Sequence, residues 1–154
     1  MSASRPLRFA ATLLASGALL GAAALPATAA DYPHGPRSAV VIGQVQYDSP
    51  GWDTRSNRSL NAEWVEVRNT GRHAVKLNGW TLTDRDGNRY RFRHLWLRGH
   101  DSVRVHTGIG RDNRHDVYQD RLTYVWDNRD SATLRDNRGR WIDTRSWGRH
   151  HHHR

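Results

Sequence analysis

The stretch that constrains the fold most is residues 61–84, in which three short apolar pairs alternate with polar neighbours. In chain order these are Val65 and Val67, the break Asn69-Thr70-Gly71, Val75 and Leu77, the break Asn78-Gly79, and Trp80 and Leu82. An alternation of period two is typical of a half-buried strand, and Asn-Gly pairs commonly form the turns that join such strands. The stretch therefore predicts three consecutive strands joined by short turns.

The same pattern continues over most of the remaining chain. The further strands that it predicts are Ala39–Tyr47, Arg89–Arg93, Ser102–His106, Leu122–Trp126, Ala132–Arg135 and Arg140–Thr144, with polar loops at 51–61 and 111–120. Short strands that recur roughly every 8 to 15 residues, without a run of helical period, indicate an all-β sandwich. Its predicted core is the apolar side of these alternations: Val65, Val67, Trp80, Leu82, Tyr90, Phe92, Val103, Val105, Trp126 and Leu134.

The N-terminus has the features of a secretory signal peptide over residues 1–29. Arg5 and Arg8 precede an apolar stretch from Phe9 to Leu25, and Ala27-Thr28-Ala29 supplies the small residues that a signal peptidase requires. An uncleaved membrane anchor is the alternative, but the apolar stretch is short for a span and rich in Ala and Gly. We therefore expect an exported, extracellular protein without a membrane span after cleavage.

The expected mature protein consists of a flexible leader at 30–38, one domain at 39–148 and a His- and Arg-rich tail at 149–154. The leader is rich in Pro and Gly, which disfavour regular pairing. The chain contains no cysteine, so a lipoprotein signal and disulfide bonds are both excluded. An exported domain without disulfides depends on packing alone, and all seven tryptophans lie in the mature part.

The charge is strongly basic and comes almost entirely from arginine. The whole chain has a formal net charge of +9, and removal of Arg5 and Arg8 leaves 22 basic against 15 acidic residues, a net of +7. Such a protein can bind anionic cell-wall polymers, nucleic acid or acidic glycans. Because Lys76 is the sole lysine, codon composition is a second explanation of the arginine excess.

Five fragments in order resemble the lamin tail domain family, and specifically its exported bacterial members. These are Tyr47–Gly51 (YDSPG), Leu60–Asn69 (LNAEWVEVRN), Leu77–Asp84 (LNGWTLTD), Val105–Gly108 (VHTG) and Val125–Asn128 (VWDN). The resemblance covers about Ala39 to Trp147 and implies an immunoglobulin-like β-sandwich. Two turns depart from the usual pattern, at Arg98-Gly99 and near Arg129. The family implies no settled activity, and its bacterial members resemble accessory modules, some of them attached to secreted nucleases.

No pattern in the sequence specifies a catalytic site. Cysteine is absent, no serine lies in Gly-x-Ser-x-Gly, and no phosphate-binding or His-Glu-x-x-His motif occurs. His106 and the His115-Asp116 pair could contribute to acid/base chemistry, but no third group converges with them in the sequence. Glu63 shares the inward face of Val65. It could be a functional buried acid with a raised pKa, but we interpret it as a strand-end carboxylate that accepts hydrogen bonds from loop amides. We expect neither an enzyme nor a cofactor.

Two segments contain residues that bind metals in other proteins. Asp84–Asn88 has the composition of a calcium loop, but the Gly87 position and Leu95 do not fit the EF-hand spacing, so we interpret it as a hairpin turn. The run His150, His151, His152 and His153 could bind zinc, copper or nickel without a fixed site.

The candidate ligand-binding residues are Arg89, Arg91 and Arg93. They alternate with Tyr90 and Phe92, so the three guanidiniums share one face of a strand. Each can bind an anion through two parallel hydrogen bonds. The alternative is that Asp84, Asp86 or Asp101 neutralises the row across strands.

The sequence thus predicts a secreted, non-catalytic, monomeric binding or scaffold module. Its leading partner is an anionic extracellular polymer: nucleic acid, teichoic acid or an acidic glycan. The alternatives are a structural or protein-interaction module of the cell-envelope surface, which would contact an envelope protein, and an accessory to a secreted nuclease or hydrolase.

Overall fold

The computed structural model describes residues 38–148, which contain ten short strands and one helical turn. The predicted signal peptide, the leader up to residue 37 and the histidine run lie outside the described residues. The elements are β1 Val40–Gln46, α1 Asn57–Asn61, β2 Trp64–Asn69, β3 Val75–Lys76, β4 Thr81–Thr83, β5 Arg89–Arg91, β6 Trp96–Leu97, β7 Ser102–His106, β8 Asp116–Tyr118, β9 Ser131–Arg135 and β10 Trp141–Ser146.

The strands form two four-stranded sheets and one small ribbon. The first sheet has the order β1-β2-β7-β8, the second has the order β10-β9-β4-β5, and β3 pairs with β6. All strand pairs are antiparallel except β7 and β8, which run parallel. The predicted all-β, immunoglobulin-like sandwich is confirmed.

The core lies between the two sheets and consists of the residues that the period of two places inward. Of the ten predicted core residues, nine are buried and Tyr90 is half-buried against the same cluster. Phe92 is the largest of the fully buried side chains. Because a one-residue slip would turn every one of these side chains outward, their burial fixes the register of both sheets.

Three segments differ from the sequence prediction. The loop at 51–61 contains α1, which begins after Ser56, whose side chain accepts a hydrogen bond from the Ser59 amide. The polar loop at 111–120 contains β8. The predicted strand Leu122–Trp126 is wrong, because Leu122 is 73% exposed and the neighbouring Val125 and Trp126 are both buried.

Buried carboxylates hold the turns together. Asp130 accepts from the amides of Arg85 and Ser131, and Asp84 accepts from the Asn88 amide at 2.7 Å. Asp136 Oδ2 accepts from Arg140 Nε at 2.7 Å. The Asp84–Asn88 segment is therefore a turn closed by its own aspartate, as predicted, and these three buried carboxylates stabilise turns.

Candidate functional site

The two long sides of the sandwich differ in how the sheets meet. On one side the edge strands β1 and β10 contact each other, and the Ile42 amide donates to Asp143 Oδ2 at 2.8 Å. On the other side the edge strands are β5 and β8, which do not pair with each other in the described structure. The second side is therefore left open as a groove.

This groove consists of two recesses that share Arg93 and Asp112. One recess, of about 440 Å³, lies between β5 and the end of β8, and the other, of about 550 Å³, lies between the β6 region and the start of β8. Five exposed arginines line the two recesses: Arg89, Arg91, Arg93, Arg98 and Arg114. We call this surface, defined by the five arginines and Asp112, the basic groove.

The predicted arginine row forms one wall of the basic groove. Arg89 and Arg91 belong to β5, Arg93 follows it, and all three side chains are exposed. Their neighbours Tyr90 and Phe92 pack toward the core with ring centroids 5.0 Å apart. The division of this strand into an aromatic side and a guanidinium side is therefore present as the alternation predicted.

Two of the three carboxylates that could have neutralised the row, Asp84 and Asp101, make other contacts. Asp84 bonds Asn88, and Asp101 Oδ1 lies 3.5 Å from His115 Nδ1. Among the ion pairs within residues 38–148, none includes a member of the arginine row. Cross-strand neutralisation of these arginines is thus not found in the described part of the chain.

Carboxylates are nevertheless present inside the groove, at its β8 wall. Burial, together with the carboxylates of Asp112 and Asp120, raises the pKa of Tyr90 above the ordinary value of a phenol. Asp101 lies at the other end of the groove. The basic groove is therefore mixed in charge, with arginine in excess.

The outward edge of β8 is closed by the loop that precedes it. The Asp116 amide donates to Asn113 Oδ1 at 2.9 Å, and the Tyr118 amide donates to Asp112 Oδ1 at 2.9 Å. The Asn113 amide donates to the Asp116 carbonyl at 2.8 Å. The Asp116 amide, the Asp116 carbonyl and the Tyr118 amide, which β8 turns away from β7, are therefore already paired with the preceding loop.

The sequence interpretation missed three residues of the groove. Trp96 lies between the buried Leu95 and Leu97 and is 59% exposed, so its alternation with two leucines was a usable signal. Arg98 and Arg114 lie in turns far apart in the sequence, and nothing local indicates that they meet at one surface.

A second polar cluster lies at the end of the sandwich, where Glu63 is 1% exposed. Its Oε1 accepts from Thr107 Oγ1 at 2.6 Å, the Val125 amide at 2.9 Å and the Trp126 amide at 3.2 Å. Burial raises the pKa of Glu63, although these hydrogen bonds oppose the shift. The carboxyl holds the 125–126 segment to β2, which confirms its predicted structural role.

His106 lies on the outer face of the first sheet and pairs with Asp116. Its Nε2 is 2.8 Å from Asp116 Oδ1, its Nδ1 is 2.7 Å from the Asn61 carbonyl oxygen, and its ring stacks on Tyr118. The structure therefore joins His106 to Asp116, two residues that the sequence analysis considered together for acid/base chemistry. Both ring nitrogens therefore have hydrogen-bond partners. Within residues 38–148 no serine, threonine or lysine bonds this pair, so we interpret its contacts as structural.

Metal and membrane sites can be judged only for the residues that the structure describes. Within 38–148, no group of three or more His, Cys, Asp or Glu side chains is placed to hold a metal ion. No helix in that range has the length and apolar content needed to cross a membrane. The predicted metal-binding run at His150, His151, His152 and His153 lies outside this range.

Comparison with known proteins identifies the family. The Lamin Tail Domain family matches residues 33–149, which include every strand described above. No curated protein matches the chain. The family is an immunoglobulin-like structural domain that is generally non-catalytic. The match covers most of the chain and agrees with the two-sheet architecture, and the chain therefore belongs to the lamin tail domain family.

Proposed function

We propose that this domain is a secreted, non-catalytic binding module that holds an anionic extracellular polymer in the basic groove. The observation that carries the proposal is the convergence of five exposed arginines on one groove, with no carboxylate ion pair to Arg89, Arg91 or Arg93 among residues 38–148. Like charges held close together repel one another, and a bound anion relieves that repulsion.

The geometry favours a polymer over a single small anion. Residues two apart on a strand are about 6.8 Å apart, so Arg89 and Arg91 present charges at a spacing close to that of phosphates or acidic sugars along an extended chain. The two recesses continue one another through Arg93. A linear polyanion can therefore contact several guanidiniums at once.

The test is retention on heparin and on phosphocellulose. The variant in which Arg89, Arg91 and Arg93 are changed to Gln should elute at much lower salt than the parent. Its matched control changes Arg129, Arg138 and Arg145, three exposed arginines that do not line the groove, to Gln with the same loss of charge. Parent binding should weaken with salt with a log-log slope of roughly −2 to −3 for the three contacts.

Equal elution of the two triple variants would contradict a groove-specific site. It would assign the retention to net charge alone, and it would favour the alternative of a protein-interaction module whose arginines reflect codon composition.

Export is part of the same proposal and is tested separately. Mass spectrometry of culture supernatant should find a chain that starts at Ala30 or Asp31, because the small residues that favour signal peptidase end there. Recovery of the intact Met1 product from membranes would contradict secretion.

A further inference from the structure

We infer that the polymer bound in the basic groove is an acidic polysaccharide, with one sugar ring packed on Trp96 and sugar hydroxyls bonded to Asp112. This inference rests on the proposed polyanion binding and names its ligand class. It comes from two features that arginine alone does not explain: an exposed tryptophan at the rim, and carboxylates among the guanidiniums.

Trp96 is held as a platform at one end of the groove. It pairs with Lys76 in the β3–β6 ribbon, and its neighbours Leu95 and Leu97 are buried, which turns the indole outward. The Lys76 ammonium lies 5.8 Å from the ring centroid, and the residue is still 59% exposed. Below it the recess has a floor of buried Leu95 and Val117. An aromatic face beside an apolar floor can bury the C–H face of a sugar ring.

The carboxylates in the groove disfavour a ligand with phosphate at every unit. Asp101, Asp112 and Asp120 line the groove together with the five arginines, and Asp112 lies where the two recesses join. A phosphate chain along this path would meet repulsion at each carboxylate. A polysaccharide offers hydroxyl groups between its acidic groups, and a carboxylate accepts hydrogen bonds from hydroxyls.

Asp112 is fixed for this role by its own contact. Its Oδ1 accepts from the Tyr118 amide at 2.9 Å, and Oδ2 has no hydrogen bond among the described residues. That oxygen is the acceptor that we assign to a sugar hydroxyl, while Arg93, which lines both recesses, is assigned to an acidic group of the same chain. The recesses of about 440 and 550 Å³ together need more than one sugar to fill them.

The experiment measures binding of the full chain to four probes at one salt concentration. The probes are a short oligogalacturonate, a neutral oligogalactoside of the same length, an oligothymidylate and a polyphosphate of matched charge. The oligogalacturonate should bind most tightly, and free galacturonic acid should bind much more weakly than the oligomer.

The deciding variants are Trp96→Ala and Trp141→Ala. Trp141 is 60% exposed and does not line the groove, so it matches Trp96 in residue type and exposure but not in position. Trp96→Ala should weaken oligogalacturonate binding by about tenfold, as truncation of an aromatic contact residue can do, and should leave polyphosphate binding unchanged. Trp141→Ala should change neither affinity. Trp96→Phe, which retains an aromatic face, should restore part of the binding.

Asp112→Asn gives an independent readout. Asn retains the acceptor for the Tyr118 amide but removes the charge, so the ratio of oligogalacturonate to polyphosphate affinity should fall, because phosphate gains from the lost repulsion.

The possible results separate this inference from the proposed function. If all anions bind according to charge alone and Trp96→Ala has no effect, the polysaccharide assignment is wrong while polyanion binding stands. If oligothymidylate binds most tightly and is weakened by Trp96→Ala, the ligand is single-stranded nucleic acid, and the assignment is again wrong. If the Gln variant of Arg89, Arg91 and Arg93 retains full binding to every anion, both proposals fail.

Discussion

The two long sides of this sandwich differ in whether the edge strands of the two sheets contact each other. Where β1 meets β10, a backbone amide and a carboxylate, Ile42 and Asp143, join the two sheets directly. On the side of β5 and β8 the two edge strands do not pair with each other, and the space between them is lined with arginine. The same fold therefore has one side that contributes to cohesion and one that is available to a ligand.

The difference follows from how the charged residues are used. Acidic side chains such as Asp84, Asp130 and Asp136 are buried and accept hydrogen bonds from turn amides. In the described structure, none of the arginines of the open side stabilises a turn in this way. The comparison teaches that the carboxylates buried in turns are not available to the arginines of the open side, and four tests can probe it.

The largest expected effect comes from Phe92→Ala, which removes the anchor of the open side. Phe92 is fully buried, and its amide donates to the Trp80 carbonyl at 2.9 Å. Truncation of a buried phenylalanine costs about 3 to 5 kcal/mol, so chemical denaturation should show a free energy of unfolding lower by that amount. A loss below about 1 kcal/mol would mean that β5 is not anchored through the core.

The closed side is tested by Asp143→Ala. The change leaves the Ile42 amide without its partner, which should lower the free energy of unfolding by about 1 to 3 kcal/mol. Asp143→Asn retains an oxygen acceptor and should cost less. Heparin retention should not fall in either variant, since the groove is on the other side; a fall would show that the two sides are not independent.

The third test compares Glu63, which belongs to neither side, with Asp136, because their pKa values are displaced in opposite directions. Folded Glu63 holds its proton more tightly than the unfolded chain, so the parent should lose stability relative to Glu63→Gln as pH rises from about its ordinary pKa of 4.5. Burial opposes ionisation of Asp136, but hydrogen bonds from Arg140 and Arg138 hold its pKa below 3.8. The parent should therefore lose stability relative to Asp136→Asn as pH falls below that value.

Thermal or urea unfolding of the three proteins between acid and neutral pH measures both differences. Slopes of the same sign would show that hydrogen bonding from Arg140 does not outweigh burial at Asp136.

The smallest effect on stability is expected from changing Arg89, Arg91 and Arg93 to Gln. Exposed substitutions usually alter the free energy of unfolding by less than about 0.5 kcal/mol, and the loss of mutual repulsion acts in the stabilising direction. A melting temperature equal to or slightly above that of the parent is expected. Clear destabilisation would mean that the row has a structural task after all, and that the two sides are more alike than described.

The period of two predicted the strands whose faces differ clearly in polarity. It failed where burial does not follow the period. Val125 and Trp126 are adjacent and both buried because their amides bond Glu63, which a strand pattern cannot express. The helix α1 is too short to show a helical period, and its start depends on the single cap Ser56. Val117, the one buried apolar residue of β8, lies in a charged segment whose pairing partner is distant in the sequence.

The candidate site, like the fold, could be predicted from the sequence only in part. The row at Arg89, Arg91 and Arg93 follows from alternation within one strand and was predicted. The meeting of Trp96, Arg98 and Arg114 depends on how separate turns fold back on the open side. A local pattern describes the face of a strand, but it cannot describe a surface built from several turns.

The closed outer edge of β8 has a consequence for how this protein behaves at high concentration. An uncovered edge strand is a template on which a second chain can add, and repeated addition produces fibrils. Here Asp112 and Asn113 already accept from the outward amides of β8, those of Asp116 and Tyr118, and the edge strand β5 has charged arginines, which oppose stacking of identical chains. A domain without disulfides can thus stay dispersed even though β5 and β8 each end a sheet on the open side.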